Sequence, residues 1–216
     1  MVRRHSPCAR SLLDVGCGTG FVLSALQEAF PGLRLVGVDF RAEYLDEARR
    51  RLPEVELREL DATRLPYEEE FDVVGAFDVL EHIEDDVAAL RGMARAARHG
   101  GIVILLVPQH PRLWSRMDTI GRHVRRYTRA VLLKKVCEAR LEPVAASSFV
   151  STLLPAMIAS RAGRRALRRA YDPIAELVPG PLNGPFERLL DGERWLIERG
   201  VSLPAGGSLL LVARKP

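Results

Sequence analysis

The sequence predicts an α/β fold, a doubly wound and mostly parallel sheet with helices on both faces. Two observations support this prediction. Short apolar runs alternate with amphipathic segments of helical spacing through the first half of the 216-residue chain, a pattern typical of parallel strands joined by helices. One of these runs leads directly into a glycine-rich loop and then a helix, at residues 12–30, as phosphate- and nucleotide-binding folds often do.

Five strands and three helices are predicted in this first half. The strands are apolar runs bounded by turn residues, and the helices carry apolar residues at helical spacing. The strands cover residues 11–15, 33–38, 55–60, 71–77 and 102–107, and the helices cover about 21–30, 43–52 and 85–97. Proline and glycine end these helices, at 31–32, 53 and 99–101, because neither residue continues a helix well.

The second half of the chain adds two strands, which makes seven, and more helix. A helix begins at Thr128, whose hydroxyl can cap the first turn. Strands follow at 143–149 and 208–213. The connection between them is far longer than a hairpin needs, so we expect a helical insertion over 151–203 within a single domain that covers 1–216.

Composition and cysteine content narrow the class of protein. With 47% hydrophobic and 28% charged residues, the chain is neither disordered nor fibrous, and a chain of this length can bury a core without disulfides or a metal. The three cysteines lack metal-ligand spacing, so we expect a reducing, cytoplasmic location and no metal site. No signal peptide is expected in the first residues.

The formal net charge of +4 conceals an uneven distribution. Residues 39–86 carry seventeen acidic against six basic side chains, whereas residues 111–170 carry fourteen basic against three acidic. Such a separation is typical of a protein with two different binding surfaces, although a solvated outer face gives the same pattern.

The strongest chemical motif joins a strand to a helix through three glycines of LLDVGCGTG, namely Gly16, Gly18 and Gly20. Glycine is needed where the backbone turns tightly and a ligand approaches closely. The GxGxG spacing, preceded by Asp14, differs from the GxGxxG of dinucleotide-binding loops. Asp39 ends the next strand, where a carboxylate can accept from both hydroxyls of a ribose. Asp61 follows the third strand, where it can accept from an adenine amine, with the Ala62 amide available to the ring.

Four segments carry a family resemblance, in this order: DVGCGTG, GVDF, LDATRLP and FDVVGAFDVLEHIEDD. Together they resemble the class I S-adenosylmethionine-dependent methyltransferases, and most closely the broad group that contains the ubiquinone-biosynthesis O-methyltransferases. The resemblance covers residues 11–108 and implies a Rossmann-like seven-stranded sheet with S-adenosyl-L-methionine as cofactor. It makes 1–108 the cofactor-binding half, and 109–142 a substrate-side connector and helix. Members of the family usually have a few dozen residues before the glycine strand, where this chain has about ten.

The resemblance also assigns cofactor-binding residues. The methionine moiety would be held by Asp14, Gly16, Cys17, Gly18, Thr19 and Gly20. The ribose would be held by Asp39, one face of the adenine by Phe40, and its edge by Asp61 and Ala62. The segment from Phe77 to His82 would lie beneath the methionine and its sulfonium.

Methyl transfer to an oxygen usually needs a group that accepts a proton from the acceptor. Three histidines follow the fourth and fifth strands and are candidates for this role: His82, His110 and His123. Each has an alternative interpretation as an ordinary histidine of a helix start or loop. The connector HPRLWSRMDTIGRHVRRYTR places aromatic and basic side chains at the crevice mouth, and we predict substrate binding by Trp114, Arg122, Arg126 and Tyr127. The arginines of this connector predict an acceptor with an anionic group. The alternative is that the segment is only a solvated basic surface.

The spacing of the five arginines from Arg161 to Arg169 predicts a helix in the insertion with all five on one face. Such a helix can lie on an anionic membrane surface, contact a polyanion, or simply form a solvated outer face. The uncharged stretch that precedes it, residues 143–160, contains Pro155 and is too short to span a bilayer. If the chain meets a membrane, these features predict peripheral contact through the Arg161 to Arg169 segment and not insertion, and a solvated outer face stays the alternative.

These observations predict a methyltransferase for a small-molecule or lipid-like acceptor, with oxygen as the preferred acceptor atom. A nucleic-acid methyltransferase is the first alternative, because the second half is basic. The fourth strand ends in AFDVLEH, without the Asn/Asp-Pro-Pro-aromatic motif of enzymes that methylate base amines, so nucleic acid is the less favoured partner. The second alternative is a protein that binds the cofactor without catalysing a reaction.

Overall fold

The computed structural model describes residues 1–159 and 183–216. Seven strands form one sheet in the order β3-β2-β1-β4-β5-β7-β6. The strands are β1 (Ser11–Val15), β2 (Arg34–Asp39), β3 (Glu56–Glu59), β4 (Phe71–Phe77), β5 (Ala97–Pro108), β6 (Glu142–Phe149) and β7 (Ser208–Arg214). The first five strands are parallel, and β7 is antiparallel to both of its neighbours. The predicted Rossmann-like, mostly parallel sheet of seven strands is confirmed.

The helices of the described residues are α1 (Val2–His5), α2 (Phe21–Ala29), α3 (Ala42–Arg51), α4 (Asp86–Ala96), α5 (Arg116–Ile120), α6 (Arg129–Glu138) and α7 (Asn183–Glu198). Helices α2, α3, α4 and α6 lie where the sequence predicts them, and α1 and α5 are short helices that the sequence did not predict. Short 3-10 turns follow β3, β4 and β5, at Ala62–Arg64, Leu80–His82 and Pro111–Leu113. Thr128 caps α6 as predicted, since its Oγ1 accepts a hydrogen bond from the amide of Val131 at 3.2 Å.

The main difference from prediction lies at the start of β5. The sequence predicts that residues 99–101 end a helix and that the strand begins at 102, but β5 begins at Ala97, which pairs with Phe71. The register between β4 and β5 shifts just after this pair, and the backbone at Gly100 is left-handed (φ +74°). A Cβ at Gly101 would lie 2.9 Å from the Arg98 carbonyl oxygen. The glycines therefore serve an irregular strand rather than a helix end.

Two hydrophobic clusters cover the two faces of the sheet. Successive residues of a strand point to opposite faces, so Leu12 and Leu13 of β1 belong to different clusters. Leu12 packs in the cluster that contains residues of α2 and α3, whereas Leu13 packs with residues of α4 and α6. Both leucines are fully buried. The helices on both faces thereby fix the position of the central strands.

The strand order reverses between β1 and β4, which are neighbours in the centre of the sheet. In open parallel sheets this point forms a crevice beyond the carboxyl ends of the strands, where ligands bind. The glycine-rich loop leaves the end of β1, and the segment that contains Glu81 and His82 follows β4. The crevice is therefore where the predicted functional residues should meet.

The predicted helical insertion is covered only in part. Residues 154–159 and α7 are helical, and the helix predicted from Arg161 to Arg169 lies outside the described residues. The division of the chain into functional segments stays a prediction. Within residues 1–159 and 183–216, no helix combines the length and the apolar character needed to cross a membrane.

Candidate functional site

The glycine-rich loop after β1 has left-handed backbone at all three glycines: Gly16 (φ +73°), Gly18 (φ +53°) and Gly20 (φ +82°). L side chains rarely adopt this conformation. A Cβ at Gly16 would lie 2.5 Å from Cγ2 of Val79, so the loop packs directly against the segment that follows β4. A Cβ at Gly18 would meet no atom of the described residues within 4 Å. The loop thus has a packed side and a side with open space.

Asp39, at the end of β2, holds the loop from beneath. Its side chain is 7% exposed. One carboxylate oxygen, Oδ2, accepts a hydrogen bond from the amide of Gly18 at 3.0 Å, and Oδ1 accepts from the amide of Arg41 at 2.9 Å. A carboxylate oxygen can accept a second hydrogen bond, so Asp39 can organise the loop and still bind a ligand hydroxyl.

Asp14 lies within β1 and is 1% exposed. Its Oδ2 is buried and has no hydrogen-bond partner in the described part of the chain. Burial, and next the negative charge of Asp39, raise the pKa of Asp14 to about 8. The carboxyl group therefore needs a positively charged or hydrogen-bonding partner if it is to ionise at neutral pH.

Cys17 and Thr19 complete the loop sequence. The Cys17 side chain is buried, and burial raises the pKa of its thiol to about 12. A thiol with such a pKa stays protonated and unreactive. Thr19 is half-buried, as is Phe77 at the end of β4. These three residues line the region of the loop without presenting a charged group to it.

The residues predicted for adenine lie on the outer side of the loop. The ring of Phe40 is 66% exposed, and the guanidinium of Arg41 lies 5.2 Å from its centroid. Asp61 caps the turn that follows β3, where its Oδ1 accepts from the amide and the hydroxyl of Thr63, each at 2.8 Å. These hydrogen bonds hold the pKa of Asp61 below its usual range. Ala62 is half-buried beside it.

On the other side of the crevice, Glu81 follows β4 and is fully buried. Both of its carboxylate oxygens lack a hydrogen-bond partner among the residues that the structure describes. Burial, and next the charge of Asp78, raise the pKa of Glu81 to about 8. A buried carboxyl group without a partner is costly, which marks Glu81 as a residue whose role the fold alone does not explain.

The rings of His82 and His123 lie edge to face, with centroids 4.7 Å apart and an interplanar angle of 89°. The pKa of His82 is lowered, first by burial and next by the charge of His123, and backbone hydrogen bonds at Arg122 and Gly121 oppose part of this shift. The structure thus brings together two of the three histidines that the sequence predicts as proton acceptors.

Asp118 holds His123 and Arg126 in place. It is 1% exposed and accepts hydrogen bonds from four groups. The donors are the Ser115 amide at 2.7 Å, the Ser115 hydroxyl at 2.8 Å, Arg126 Nε at 2.6 Å and His123 Nδ1 at 3.0 Å. Burial alone would raise the pKa of Asp118, but the hydrogen bonds from Arg126 and Ser115 outweigh it and keep that pKa low. Asp118 is therefore a charged anchor for the connector after β5.

His110, the third histidine, lies beside Arg126. Its backbone is left-handed (φ +63°), and its Nε2 is buried with no hydrogen-bond partner in the described ranges. Burial, and next the charge of Arg126, lower the pKa of His110. A second donor of Arg126, Nη1, bonds to the carbonyl oxygen of Gln109 at 3.1 Å. His110 is therefore neutral at pH 7, with one ring nitrogen uncommitted.

The four predicted substrate-binding residues occupy different environments. Arg122 is exposed, and Trp114 is half-buried with its indole Nε1 donating to Thr119 Oγ1 at 3.3 Å. The side chain of Arg126 is only 8% exposed, because Asp118 and Gln109 bind it. Of these four, Arg122 and Trp114 have the access that contact with a substrate requires.

Tyr127 corrects the prediction of substrate binding. It is fully buried, and its hydroxyl donates to Asp86 Oδ2 at 2.7 Å and lies 3.1 Å from the carbonyl oxygen of Leu80. Asp86 also binds Lys135 Nζ at 2.6 Å and Arg125 Nη1 at 2.6 Å. Tyr127 therefore joins the connector to the start of α4, which accounts for its side chain without a substrate.

Two functional candidates were not singled out from the sequence: Glu81 and Asp118. Glu81 lies in the LEH segment, in which the sequence predicts a proton acceptor at the neighbouring His82. Asp118 could have been found from Ser115, since a serine followed three residues later by an acid is typical of a capping box, and both hydrogen bonds of such a box are present here. No signal in the sequence shows that Asp118 also binds His123 and Arg126.

Comparison with known proteins supports the likeness first seen in the motifs. Residues 13–105 match a family model described as a methyltransferase domain. A trans-aconitate 2-methyltransferase of Azoarcus sp. is 33% identical over 102 residues, which are 47% of this chain and 40% of that protein. A ubiquinone biosynthesis O-methyltransferase of Nitrosospira multiformis is 30% identical over 138 residues, which are 61% of this chain and 52% of that protein. The chain thus spans about half the length of these curated relatives.

A solved structure supports the fold. Phosphoethanolamine N-methyltransferase 2 of Haemonchus contortus, in complex with S-adenosyl-L-methionine, superposes with a TM-score of 0.66 at 17% identity. The alignment covers all of this chain and 51% of the other. At this level of identity the likeness concerns the fold alone.

Proposed function

We propose that this chain, which carries a class I S-adenosylmethionine-dependent methyltransferase domain, methylates a small-molecule or lipid-like acceptor at oxygen, and that the acceptor bears an anionic group. S-adenosyl-L-methionine is the cofactor of this domain, and as a sulfonium it supplies the methyl group that is transferred. The observation that carries the proposal is a crevice with a glycine loop and two buried carboxyl groups on one side and uncommitted polar groups on the other.

The chemistry of the loop fits this cofactor. The open space at Gly18 leaves room for a ligand close to the backbone, and the unpartnered Oδ2 of Asp14 fits the positively charged amine of a methionine moiety. We propose that Asp14 and the loop from Gly16 to Gly20 bind that moiety. Because the amine favours the ionised carboxylate, its arrival would draw the proton from Asp14.

The remaining cofactor contacts follow from the strand ends. Asp39 retains lone pairs on both oxygens after bonding to two amides, so it can accept from ribose hydroxyls. We propose that the exposed ring of Phe40 stacks on the adenine, and that Asp61 Oδ2, which makes no bond to Thr63, accepts from the adenine amine near the Ala62 amide. Phe77 would close the floor of the site beneath the sulfonium.

On the acceptor side we propose that His110 takes the proton from the acceptor hydroxyl. Its Nε2 is buried without a hydrogen-bond partner among the described residues, and its lowered pKa favours the neutral ring, which can accept a proton. The acceptor hydroxyl would have to take the place of the groups that now cover this atom. His123 is less suited to this role because Asp118 binds its Nδ1, and His82 lies against His123. We also propose that Arg122, which is exposed, binds the anionic group of the acceptor, and that Trp114, which is half-buried, contacts its apolar body.

The relatives support a small acceptor. They are named for trans-aconitate 2-methylation and for O-methylation in ubiquinone biosynthesis, and both names concern small molecules. We also propose that the protein acts in the cytoplasm and contacts a membrane peripherally through the arginines from Arg161 to Arg169. The proposed membrane contact rests on the spacing of these arginines in the sequence.

Two measurements test the proposed function. Calorimetry with S-adenosylmethionine and with its demethylated product should show binding at micromolar concentration, and failure to bind either would exclude the methyltransferase. Transfer of a radioactive methyl group is then assayed against small carboxylic acids, quinone precursors, extracted lipids and RNA. We expect label in one of the first three fractions. Label in RNA alone would replace the proposal with nucleic-acid methylation, and cofactor binding without transfer to any fraction would indicate a binding protein.

The same assay tests His110. His110→Gln should lower the turnover number about a hundredfold, a typical contribution of a general base, while the dissociation constant of S-adenosylmethionine stays within about threefold. His99→Gln serves as the control, since His99 is exposed and bonds to the carbonyl oxygen of Pro216, away from the crevice. If His110→Gln turns over as fast as the unaltered chain, a group other than His110 accepts the proton.

A further inference from the structure

The acceptor side of the crevice contains three side chains with the donor atoms of a metal site. Glu81, His82 and His123 each place a potential ligand atom so that the three atoms lie within 4.8 Å of one another. Two of the residues are adjacent in sequence, and the third comes from the connector after β5. The backbone holds these segments together, since the amide of Val124 donates to the carbonyl oxygen of Glu81 at 2.8 Å.

The buried carboxyl group of Glu81 points to a ligand. Glu81 is fully buried, yet neither of its oxygens has a hydrogen-bond partner within residues 1–159 and 183–216. The nearest guanidinium cannot easily serve, because Arg126 is bound by Asp118 and by the carbonyl oxygen of Gln109. Buried carboxylates are normally paired, hydrogen-bonded or coordinated to a metal. Of these three states, only coordination would also use the two neighbouring histidines.

The histidines are oriented as metal ligands usually are. A histidine that binds a metal through one ring nitrogen commonly donates its other N–H to a carboxylate or a backbone carbonyl, which fixes the ring. His123 Nδ1 is bound to Asp118 Oδ1 at 3.0 Å, which leaves its Nε2 for a ligand. The His82 ring lies edge to face against the His123 ring, with centroids 4.7 Å apart. The bond to Asp118 therefore fixes the ring of one of the two histidines, and that ring packs against the other.

We propose that Glu81, His82 and His123 form a binding site for a divalent first-row transition-metal ion, of which Zn²⁺ is the representative. Two neutral imidazoles and one carboxylate are a donor set that such ions prefer. Donor atoms around Zn²⁺, at about 2.0–2.2 Å from the metal, lie about 3.3–3.6 Å apart. Small rotations of the three side chains would close the present spacing to that value.

A site with three protein ligands leaves at least one coordination position open. The site lies after β4, at the same edge of the sheet as the glycine loop. An acceptor oxygen in the open position would lose its proton more readily, because the cation stabilises the anion. This consequence rests on the proposed methyltransferase function, whereas binding of the metal does not.

The test uses the full chain, freed of metal by a chelator, and Co²⁺ or Zn²⁺ alone as the probe. Calorimetry gives the stoichiometry and affinity, and the visible spectrum of Co²⁺ reports the ligands. We expect one ion per chain and a spectrum without the intense thiolate bands that Cys8 or Cys137, both exposed, would produce. Glu81→Gln and His123→Ala should each weaken binding at least tenfold, and Asp118→Asn, which releases the His123 ring, should weaken it about 10–100-fold.

Controls separate loss of the metal from loss of the fold. His99→Ala removes a histidine outside the cluster and should bind metal as the unaltered chain does. Each variant must also bind S-adenosylmethionine with unaltered affinity, which shows that the crevice is formed. Absence of binding at millimolar Zn²⁺, or equal binding by the unaltered chain and Glu81→Gln, would overturn the proposal. If methyl transfer is observed in that case, the metal site fails while the proposed function stands.

Discussion

The two sides of the crevice are built in different ways. On the cofactor side, the glycine loop is held by the backbone of neighbouring strands, since the amides of Gly16 and Cys17 both donate to the carbonyl oxygen of Val38, at 2.7 and 3.0 Å. On the acceptor side, the connector after β5 is held by buried side chains, with Asp118 and Asp86 as the two anchors. The first arrangement depends on strand pairing, and the second on buried charge.

This difference predicts how substitutions on each side affect ligand binding and stability. A side chain on the cofactor side can be removed while the strand pairing keeps the loop in place, so the main effect falls on ligand affinity. An anchor on the acceptor side cannot be removed without leaving a buried partner unpaired, which costs stability as well as activity. Variants at the two sides should therefore separate binding from folding.

The largest effect is expected on the cofactor side, from Asp39→Ala. It removes both acceptors proposed for the ribose hydroxyls, and hydrogen bonds to a charged group contribute about 1.5–3 kcal/mol each. S-adenosylmethionine binding should therefore weaken by about three orders of magnitude in calorimetry. The substitution also leaves the amides of Gly18 and Arg41 without their acceptor, and we expect its loss of stability to be smaller than that of Asp118→Asn. Asp46→Ala is the matched control, because Asp46 is an exposed partner of Arg49 on α3. Binding within tenfold of the unaltered chain would place the ribose elsewhere.

The acceptor side should give the opposite result with Asp118→Asn. The substitution removes the negative charge between Arg126 and His123, and it leaves a buried guanidinium without its ion partner. Breaking a buried pair costs about 3–5 kcal/mol, so chemical denaturation should show a loss in this range. Methyl transfer should fall, while the affinity for S-adenosylmethionine should change by less than about threefold.

Glu138→Gln provides the comparison for that variant. Glu138 pairs with Lys134 on the exposed face of α6, at 3.7 Å, and surface pairs contribute about 0–1 kcal/mol. A stability loss in Asp118→Asn no larger than that of Glu138→Gln would show that the connector is held by other contacts.

The contrast between the two sides also explains how far the sequence could predict the structure. Strands β1 and β4 match their predicted bounds, because each is an apolar run between turn residues. The loop and Asp39 were predictable because a short stretch of chain and one strand pairing determine their positions. Tyr127 was not, because its partner Asp86 lies 41 residues away in a segment that only the folded chain brings close. The role of Asp118 depends on the conformation of the connector, and that of Glu81 on its burial, and neither can be deduced from spacing along the sequence.

A change in pH should reveal the cost of burying Asp14 on the cofactor side. Its pKa is raised to about 8, so between its ordinary value and pH 8 the folded state holds a proton that the unfolded state has released. The contribution of Asp14 to the free energy of unfolding therefore falls as pH rises through that range, and it levels off above about pH 8. Asp14→Asn removes the titration, and relative to the unaltered chain it should gain roughly 5 kcal/mol between pH 4 and 8, the free energy that corresponds to a pKa raised to about 8.

Denaturation curves of both chains across this pH range measure the effect. The same variant should bind S-adenosylmethionine more weakly, because the proposed partner of the methionine amine is lost. A stability difference that does not change with pH would mean that Asp14 is ionised in the folded chain. The result would then show that the cofactor side carries an unpaired buried charge.

The smallest effect is expected from Tyr127→Phe, which tests whether the connector is held by packing or by hydrogen bonds. The substitution keeps the buried ring and removes the hydroxyl that donates to Asp86. Because Asp86 retains Lys135 and Arg125 as partners, the loss should be about 1 kcal/mol, the usual contribution of one hydrogen bond. The Michaelis constant for the acceptor should not change, since the side chain does not reach the crevice surface. A higher Michaelis constant for the acceptor with unaltered stability would instead show that Tyr127 contacts the substrate, as the sequence predicts.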